Sequence, residues 1–204
     1  MTLGQAVQLL AMLNSTACFR LSAYVVLPLL TGVRTEEARA LLWSEVDLDA
    51  GTVAVYRSVR TKGDTKTRRS RRVLKLPRKV VAALRAHRRR QTTERLRAGD
   101  AWRDHGLVFC REDGTALGRW QVRRELGQIT NAAGLGEQWT PRELRHSFVS
   151  ILSASGVPLE DISQLVGHVS TNVTERVYRH EIRPALTKGA VAMDKIFGRE
   201  PGSA

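Results

Sequence analysis

The chain has 204 residues and a formal net charge of +13 at pH 7, so it is long enough for one domain with a sizeable core. This balance favours a polyanionic partner, nucleic acid rather than an anionic membrane surface. Of the 33 basic residues 27 are arginines, a bias that suits phosphate recognition but also fits a coding preference for arginine. Cys18 and Cys110 match no zinc spacing, and the apolar segment 23–30 is too short to cross a bilayer. We expect reduced thiols, a cytoplasmic location, and no metal, cofactor or small-molecule substrate.

The first part of the chain predicts two helices, over residues 2–13 and about 15–30, with a break at Gly32. Thr35 can cap a short helix that carries Glu36 and Glu37 in its first turn. Arg34 is then held just before a helix start. Taken alone, this arginine fits a surface ion pair as well as a functional role.

A small antiparallel sheet is predicted from three segments rich in β-branched or alternating residues, 46–48, 52–56 and 72–76. The hairpin between the last two, residues 57–72, contains one acid, Asp64. So dense a basic segment repels itself unless it is solvated or bound to a polyanion. We predict that it lies along DNA phosphates, or forms a disordered loop without DNA. Its basic residues are Arg57, Arg60, Lys62, Lys66, Arg68, Arg69, Arg71 and Arg72.

Helical periodicity returns after the sheet. Pro77 starts a long helix that ends near Gly99, and a second helix covers residues 120–133. The sequence therefore predicts a mainly α fold with a small three-stranded antiparallel β-sheet, in the α+β class. Residues expected to face the core are Val80, Val81, Leu84 and Leu96 on the first helix and Val122, Leu126 and Ile129 on the second.

A capping box opens the next helix, with Thr140 as N-cap, Pro141 at the first position and Glu143 three residues on. Arg142 and Arg145 share one face of its first turns. Two cations near the positive end of a helix are unfavourable unless an anion lies between them. The pair therefore indicates either phosphate binding or two solvated surface arginines.

Three features follow before the C-terminus. Gly167 suits a helix end and places His168 on the turn beyond it, where a histidine is commonly structural. Tyr178, taken alone, fits a half-buried core tyrosine. A last helix carries an apolar stripe that packs either on its own core or on a neighbouring protomer. That stripe consists of Leu186, Ala190, Met193 and Phe197.

Taken in order, these residues resemble the catalytic boxes of the tyrosine recombinases, the phage-integrase family. Thr31-Gly32-Val33-Arg34 with Glu37 is similar to the first box, and Lys66-Thr67-x-x-Ser70-x-Arg72-x-Val to the lysine hairpin. The later boxes match Arg142-x-x-Arg145-His146, Gly167-His168 and Tyr178. Each motif alone is a weak signal, but all of them in the family's order form a specific one. The resemblance covers nearly the whole chain.

The resemblance implies a catalytic domain over residues 1–198, with a C-terminal helix, 184–198, that docks on another protomer, and a flexible tail, 199–204. Full-length members usually carry an N-terminal DNA-binding domain, and this chain begins where the catalytic domain should begin. We therefore expect weak, salt-sensitive binding of double-stranded DNA in isolation. A homo-oligomer, a tetramer on DNA, and a nucleoid-associated location are further implications.

The implied chemistry is DNA strand transfer through a 3′-phosphotyrosyl intermediate, without metal or nucleotide. Tyr178 is then the nucleophile, Arg34 and Arg145 clamp the phosphate, and His168 adds a hydrogen bond. Lys66 is the general acid, with Lys62 as the competing candidate. Glu37 matches the acid of the first box.

One position departs from the family pattern, since Arg142 stands where histidine is frequent. Arginine stays charged, so Arg142 can bind phosphate but is a poor base for Tyr178. His146, a water or stabilisation of the phenolate by neighbouring arginines could serve instead. Two other functions stay open: a topoisomerase-like nicking and closing enzyme, and a non-catalytic basic module that binds DNA or RNA.

Overall fold

The computed structural model describes residues 1–15, 20–59, 71–167 and 187–198. Over these residues the chain forms eight α-helices and three short strands. In order they are α1 (Leu3–Ser15), α2 (Ser22–Thr31), α3 (Thr35–Ala40), β1 (Val46–Asp47), β2 (Thr52–Val55), β3 (Arg72–Lys75), α4 (Arg78–Ala98), α5 (Arg119–Ala132), α6 (Pro141–Ala154), α7 (Leu159–Val166) and α8 (Lys188–Phe197).

Helix α2 lies at the centre of the core. Every residue from Ala23 to Thr31 is buried, as expected for a helix that is apolar on all sides. It packs against α1, α3, α4, α6 and α8. The α6 residues Phe148 and Leu152 face this core and are at most 1% exposed. Because α2 leads into Arg34 and α6 carries Arg145, their packing sets the distance between these two arginines.

The three strands form one antiparallel sheet in the order β1-β2-β3. Val53 pairs with Leu74, and Val55 pairs with Arg72. The mainly α fold with a small three-stranded antiparallel sheet is thus confirmed. No described helix has the length and apolar character that a membrane span requires.

Three local predictions were wrong. Helix α2 begins at Ser22 rather than near Ser15, with a turn at Arg20 and Leu21. The N-cap of α3 is Arg34, not Thr35, because the Glu37 carboxylate reaches back to the Arg34 backbone N–H. Leu96 is 78% exposed, since the inward row of α4 continues from Leu84 through the polar residues His87 and Gln91.

The apolar stripe of α8 packs within its own chain in the structure. Ala190, Met193 and Phe197 are at most 5% exposed, and α8 contacts α2, α4, α6, α7 and β3. Asp194, beside this stripe, accepts a hydrogen bond from the Arg78 backbone N–H at the start of α4, at 2.7 Å. Leu186, the first residue of the predicted stripe, and the tail 199–204 lie outside the described residues.

Candidate active site

Arg34 is fixed from two directions at the start of α3. Its backbone N–H and its Nη1 both donate to the carboxylate of Glu37, at 2.8 and 2.7 Å. Its Nη2 donates to the carbonyl of Gly167 at 3.1 Å, across 133 positions of sequence. The side chain is 18% exposed and that of Glu37 is 2% exposed. Arg34 is therefore preorganised, with one edge still open to solvent.

Arg145 reaches the same place from the second turn of α6. Its Nη1 donates to the carbonyl of Gly32, and its Nη2 donates to the carbonyl of Val166 at 2.6 Å. Gly32 lies two residues before Arg34, and Val166 lies next to Gly167. The structure thus brings Arg34 and Arg145 together from opposite parts of the chain.

Arg72 lies beside them, in a place that differs from its predicted one. We expected this residue along DNA phosphates, but it is 4% exposed. Its Nη1 and Nη2 donate to the two oxygens of Glu37 at 3.2 and 3.0 Å, and its Nε donates to the carbonyl of Leu165 at 2.7 Å. Because all three of its guanidinium nitrogens donate to Glu37 and Leu165, Arg72 does not fit a direct phosphate contact. We call Arg34, Glu37, Arg72 and Arg145 the arginine cluster.

The end of α7 supplies three consecutive acceptors to this cluster. The carbonyls of Leu165, Val166 and Gly167 each accept from a different arginine. The last carbonyls of a helix have no partner within it and carry partial negative charge. The three guanidiniums supply those partners and so anchor the helix end. Gly167, at φ 62° in the left-handed conformation, ends α7 as predicted.

The cluster carries more positive charge than its single carboxylate offsets. Burial and the neighbouring guanidiniums of Arg34 and Arg72 lower the pKa of Arg145 to about 9. Burial alone would raise the pKa of Glu37, but Arg72 and Arg34 outweigh it and lower that pKa. Arg145 stays charged at neutral pH, and an anion placed against it would relieve the penalty. The geometry therefore suits a phosphate.

Donors remain for such an anion. A guanidinium carries five N–H groups, and Arg34 and Arg145 each use two of them on described acceptors. Among the described residues no group of histidine, cysteine or acidic side chains could hold a metal ion. The described part of the site offers hydrogen bonding and charge stabilisation by arginines.

Arg142 and His146 are both exposed on α6. Neither makes a hydrogen bond or ion pair with a described residue. Arg57 is exposed and pairs with Glu45 at 3.2 Å, and Arg71 is exposed. The predicted residues that lie outside the described ones are Arg60, Lys62, Lys66, Arg68, Arg69, His168 and Tyr178.

The profile of the phage integrase family matches residues 1–183. The chain belongs to the phage integrase family. A curated relative called integrase, from Streptomyces ambofaciens, is 52% identical over 202 residues, covering 94% of this chain and 52% of the relative. The chain therefore spans about half the length of that integrase.

Two solved structures support the same family fold. The crystal structure of XerA recombinase matches with a TM-score of 0.67 and 25% identity, covering 83% of this chain and 56% of that one. The Tn1549 transposon integrase in complex with transposon right end DNA matches with a TM-score of 0.65, covering 98% and 61%. At 16% identity the second match shows the integrase fold alone.

Sequence reasoning missed the buried role of Arg72 and the acceptor carbonyls of Gly32 and Leu165. A signal for Arg72 was present, because alternate residues of a strand share a face. Leu74 and Leu76 are apolar and point inward, so Arg72 had to point inward as well. The carbonyl acceptors carry no such signal, since every residue has the same carbonyl.

Proposed function

We propose that this chain is the catalytic domain of a site-specific DNA recombinase or integrase, a tyrosine-type strand transferase. One observation supports the proposal most strongly: two arginines far apart in sequence converge, with donors to spare, at the helix end that directly precedes His168. Family membership and the DNA complex of the Tn1549 integrase are consistent with it. Double-stranded DNA is the proposed partner, and the proposed location is the cytoplasm, in association with the nucleoid.

In the proposed reaction the Tyr178 hydroxyl oxygen attacks the scissile phosphorus. A tyrosyl O–P bond forms, the bond from phosphorus to the 5′ oxygen breaks, and Lys66 gives its proton to that oxygen. The 3′-phosphotyrosyl link conserves the bond energy, so a second strand can be joined without ATP. Lys62 competes for the acid role.

Arg34 and Arg145 stabilise the charge that grows on the non-bridging oxygens, where losing one preorganised donor costs on the order of 3 kcal/mol. His168 adds a further hydrogen bond to the same phosphate. Arg142 has an exposed side chain at the start of α6, so it can bind phosphate. Its guanidinium stays charged, which makes it a poor base for the tyrosine proton. His146 on the same helix, a water or the arginines' own stabilisation of the phenolate remain candidates for that step.

DNA binding outside the site is assigned to the basic hairpin, residues 57–72. Arg57 and Arg71 are exposed at its two ends, and the proposal includes Arg60, Lys62, Arg68 and Arg69 between them. Arg72 is left out because its three guanidinium nitrogens donate to Glu37 and Leu165. The DNA affinity of this chain alone is expected to be weak and to fall steeply as the salt concentration rises.

We also propose that protomers assemble on DNA, as a tetramer, through the C-terminal helix. The cis packing of Met193 and Phe197 means that docking through α8 requires this helix to leave its own core. A chain that stays monomeric on DNA yet nicks and recloses it would favour the topoisomerase-like function. Light scattering of the chain with and without a DNA site distinguishes these two functions.

The proposal is tested with a nicked suicide substrate, in which the cleaved strand loses a short fragment and cannot be rejoined. The wild-type chain should form a covalent protein–DNA adduct, and mass spectrometry should place the DNA on Tyr178. Tyr178→Phe should form none while still binding DNA. An adduct that survives this change would show a different nucleophile, and a wild-type chain that binds DNA without forming an adduct would favour the non-catalytic module.

A further inference from the structure

Arg72 makes three hydrogen bonds within the arginine cluster and α7, and its side chain is buried. It is 4% exposed at the first position of β3, whereas the preceding residue, Arg71, is exposed. The strand alternation that turns Arg71 outward turns Arg72 inward. These three bonds go to two groups, the Glu37 carboxylate and the Leu165 carbonyl.

Each of those groups is itself tied to an arginine of the proposed clamp. Glu37 also accepts from the backbone and side chain of Arg34. Leu165 is followed by Val166 and Gly167, whose carbonyls accept from Arg145 and Arg34. Arg72 and Arg34 thus share the Glu37 carboxylate. The carbonyl that accepts from Arg72, on Leu165, comes directly before the one that accepts from Arg145, on Val166.

Removing Arg72 would leave two buried acceptors short of a partner. A buried carboxylate without its partner is costly, and so is an unpaired buried carbonyl. Glu37 would then turn fully toward Arg34, and the last turn of α7 would lose one of its three anchors. Lysine at this position keeps the charge but offers neither the bidentate fork nor the third donor direction.

We propose that Arg72 is a positioning residue for strand transfer, which holds Arg34 and the end of α7 in register with Arg145 without contacting DNA. The inference rests on the proposed function of the same site. It predicts that Arg72 acts on the rate of cleavage and not on DNA affinity.

The test compares Arg72→Lys with Arg85→Lys in single-turnover cleavage of the suicide substrate. Arg85 is a matched control, because it also bonds a carboxylate and a carbonyl, those of Asp49 and Leu48, but at an exposed place on α4. Arg72→Lys should slow adduct formation about 10- to 100-fold, as expected for a misplaced clamp. Its DNA affinity, and the slope of that affinity against salt, should stay within about twofold of wild type. Arg85→Lys should change neither.

A second substrate separates positioning from a loss of folded protein. A methylphosphonate at the scissile phosphate removes one non-bridging negative charge, so the reaction depends less on the clamp. On this substrate the rate of adduct formation by Arg72→Lys should be closer to that of wild type. A deficit of equal size on both substrates, or a lower reaction amplitude at an unchanged rate, would overturn the inference.

The inference and the proposed function fail separately. If wild type forms the adduct and Arg72→Lys matches its rate, the inference alone is wrong. If wild type forms no adduct, the proposed function fails, and amide hydrogen exchange still tests the anchoring. Exchange at Val166 and Gly167 should then be about tenfold faster in Arg72→Lys than in Arg85→Lys, by loss of local protection. Equal exchange would overturn the inference.

Discussion

At the scale of single residues, buried polar groups are stabilised either as ion pairs or in the neutral form. The Glu37 carboxylate forms ion pairs with the guanidiniums of Arg34 and Arg72. His87, on the inward face of α4, is held neutral instead. One ring nitrogen, Nε2, bonds the Val108 carbonyl at 2.7 Å, and the ring lies against Trp43 and Phe109. Burial, with the nearby Arg90 and Arg20, lowers its pKa to about 4 despite that bond.

This lowered pKa predicts an acid-dependent loss of stability. The unfolded chain takes up the proton near pH 6.5, whereas folded His87 stays neutral until about pH 4. Acidification in this window therefore favours unfolding. Between about pH 6.5 and 4.5 the free energy of unfolding should fall by roughly 2 to 3 kcal/mol through this residue.

The measurement is urea unfolding at a series of pH values. His87→Gln should flatten the slope between about pH 4.5 and 6.5, whatever its effect at neutral pH. His105→Gln, at an exposed histidine, should keep the wild-type slope. A slope that persists in His87→Gln would show that another group takes up the proton.

At the scale of elements, the junction between α2, α3, α6 and α7 carries the site, and Gly32 is its tightest point. Gly32 has φ 68°, and a Cβ there would lie 2.6 Å from Phe148 Cδ1 and 2.9 Å from Val166 Cγ1. The same residue gives its carbonyl to Arg145. A side chain at this position would therefore push apart the two helices that hold the cluster.

Gly32→Ala should cost about 2 to 4 kcal/mol, the sum of a left-handed alanine and an overpacked core. Gly156→Ala is the matched control, because Gly156 also has a positive φ, 78°, but no atom lies within 4 Å of the position that its Cβ would take. It should lose only the conformational part, about 1 to 2 kcal/mol. Urea unfolding of both variants checks the difference. Equal losses in the free energy of unfolding would contradict a steric clash at Gly32.

The elements themselves were largely predictable, because their signals are local. The Thr140–Glu143 capping box fixed the start of α6, and the backbone N–H of Thr140 bonds Glu143 at 2.6 Å. The three strands were predicted from short segments rich in β-branched or alternating residues. The contacts between elements were not predictable in the same way. Arg72 meets the Leu165 carbonyl across 93 positions of sequence, and no local pattern states which distant carbonyl a guanidinium reaches.

At the scale of the whole molecule, the fold concentrates positive charge in the arginine cluster, which is the proposed binding site of a DNA phosphate. Ordered motifs predicted that Arg34 and Arg145 would converge, and the described residues place them together. The cis position of α8 was left open by the sequence, because an apolar stripe looks the same whether it covers its own core or a neighbour's. The chain belongs to the phage integrase family and has its fold, and strand transfer is the reaction proposed for it.

The most direct measurement is a structure of the chain bound to a DNA site with an intact scissile phosphate, using Tyr178→Phe to prevent cleavage. Both guanidiniums, Arg34 and Arg145, should donate to non-bridging oxygens of one phosphorus at about 2.7 to 3.0 Å. Arg72 should remain on Glu37 and Leu165 without touching DNA. Arg34 and Arg145 bound to two different phosphates would contradict the account.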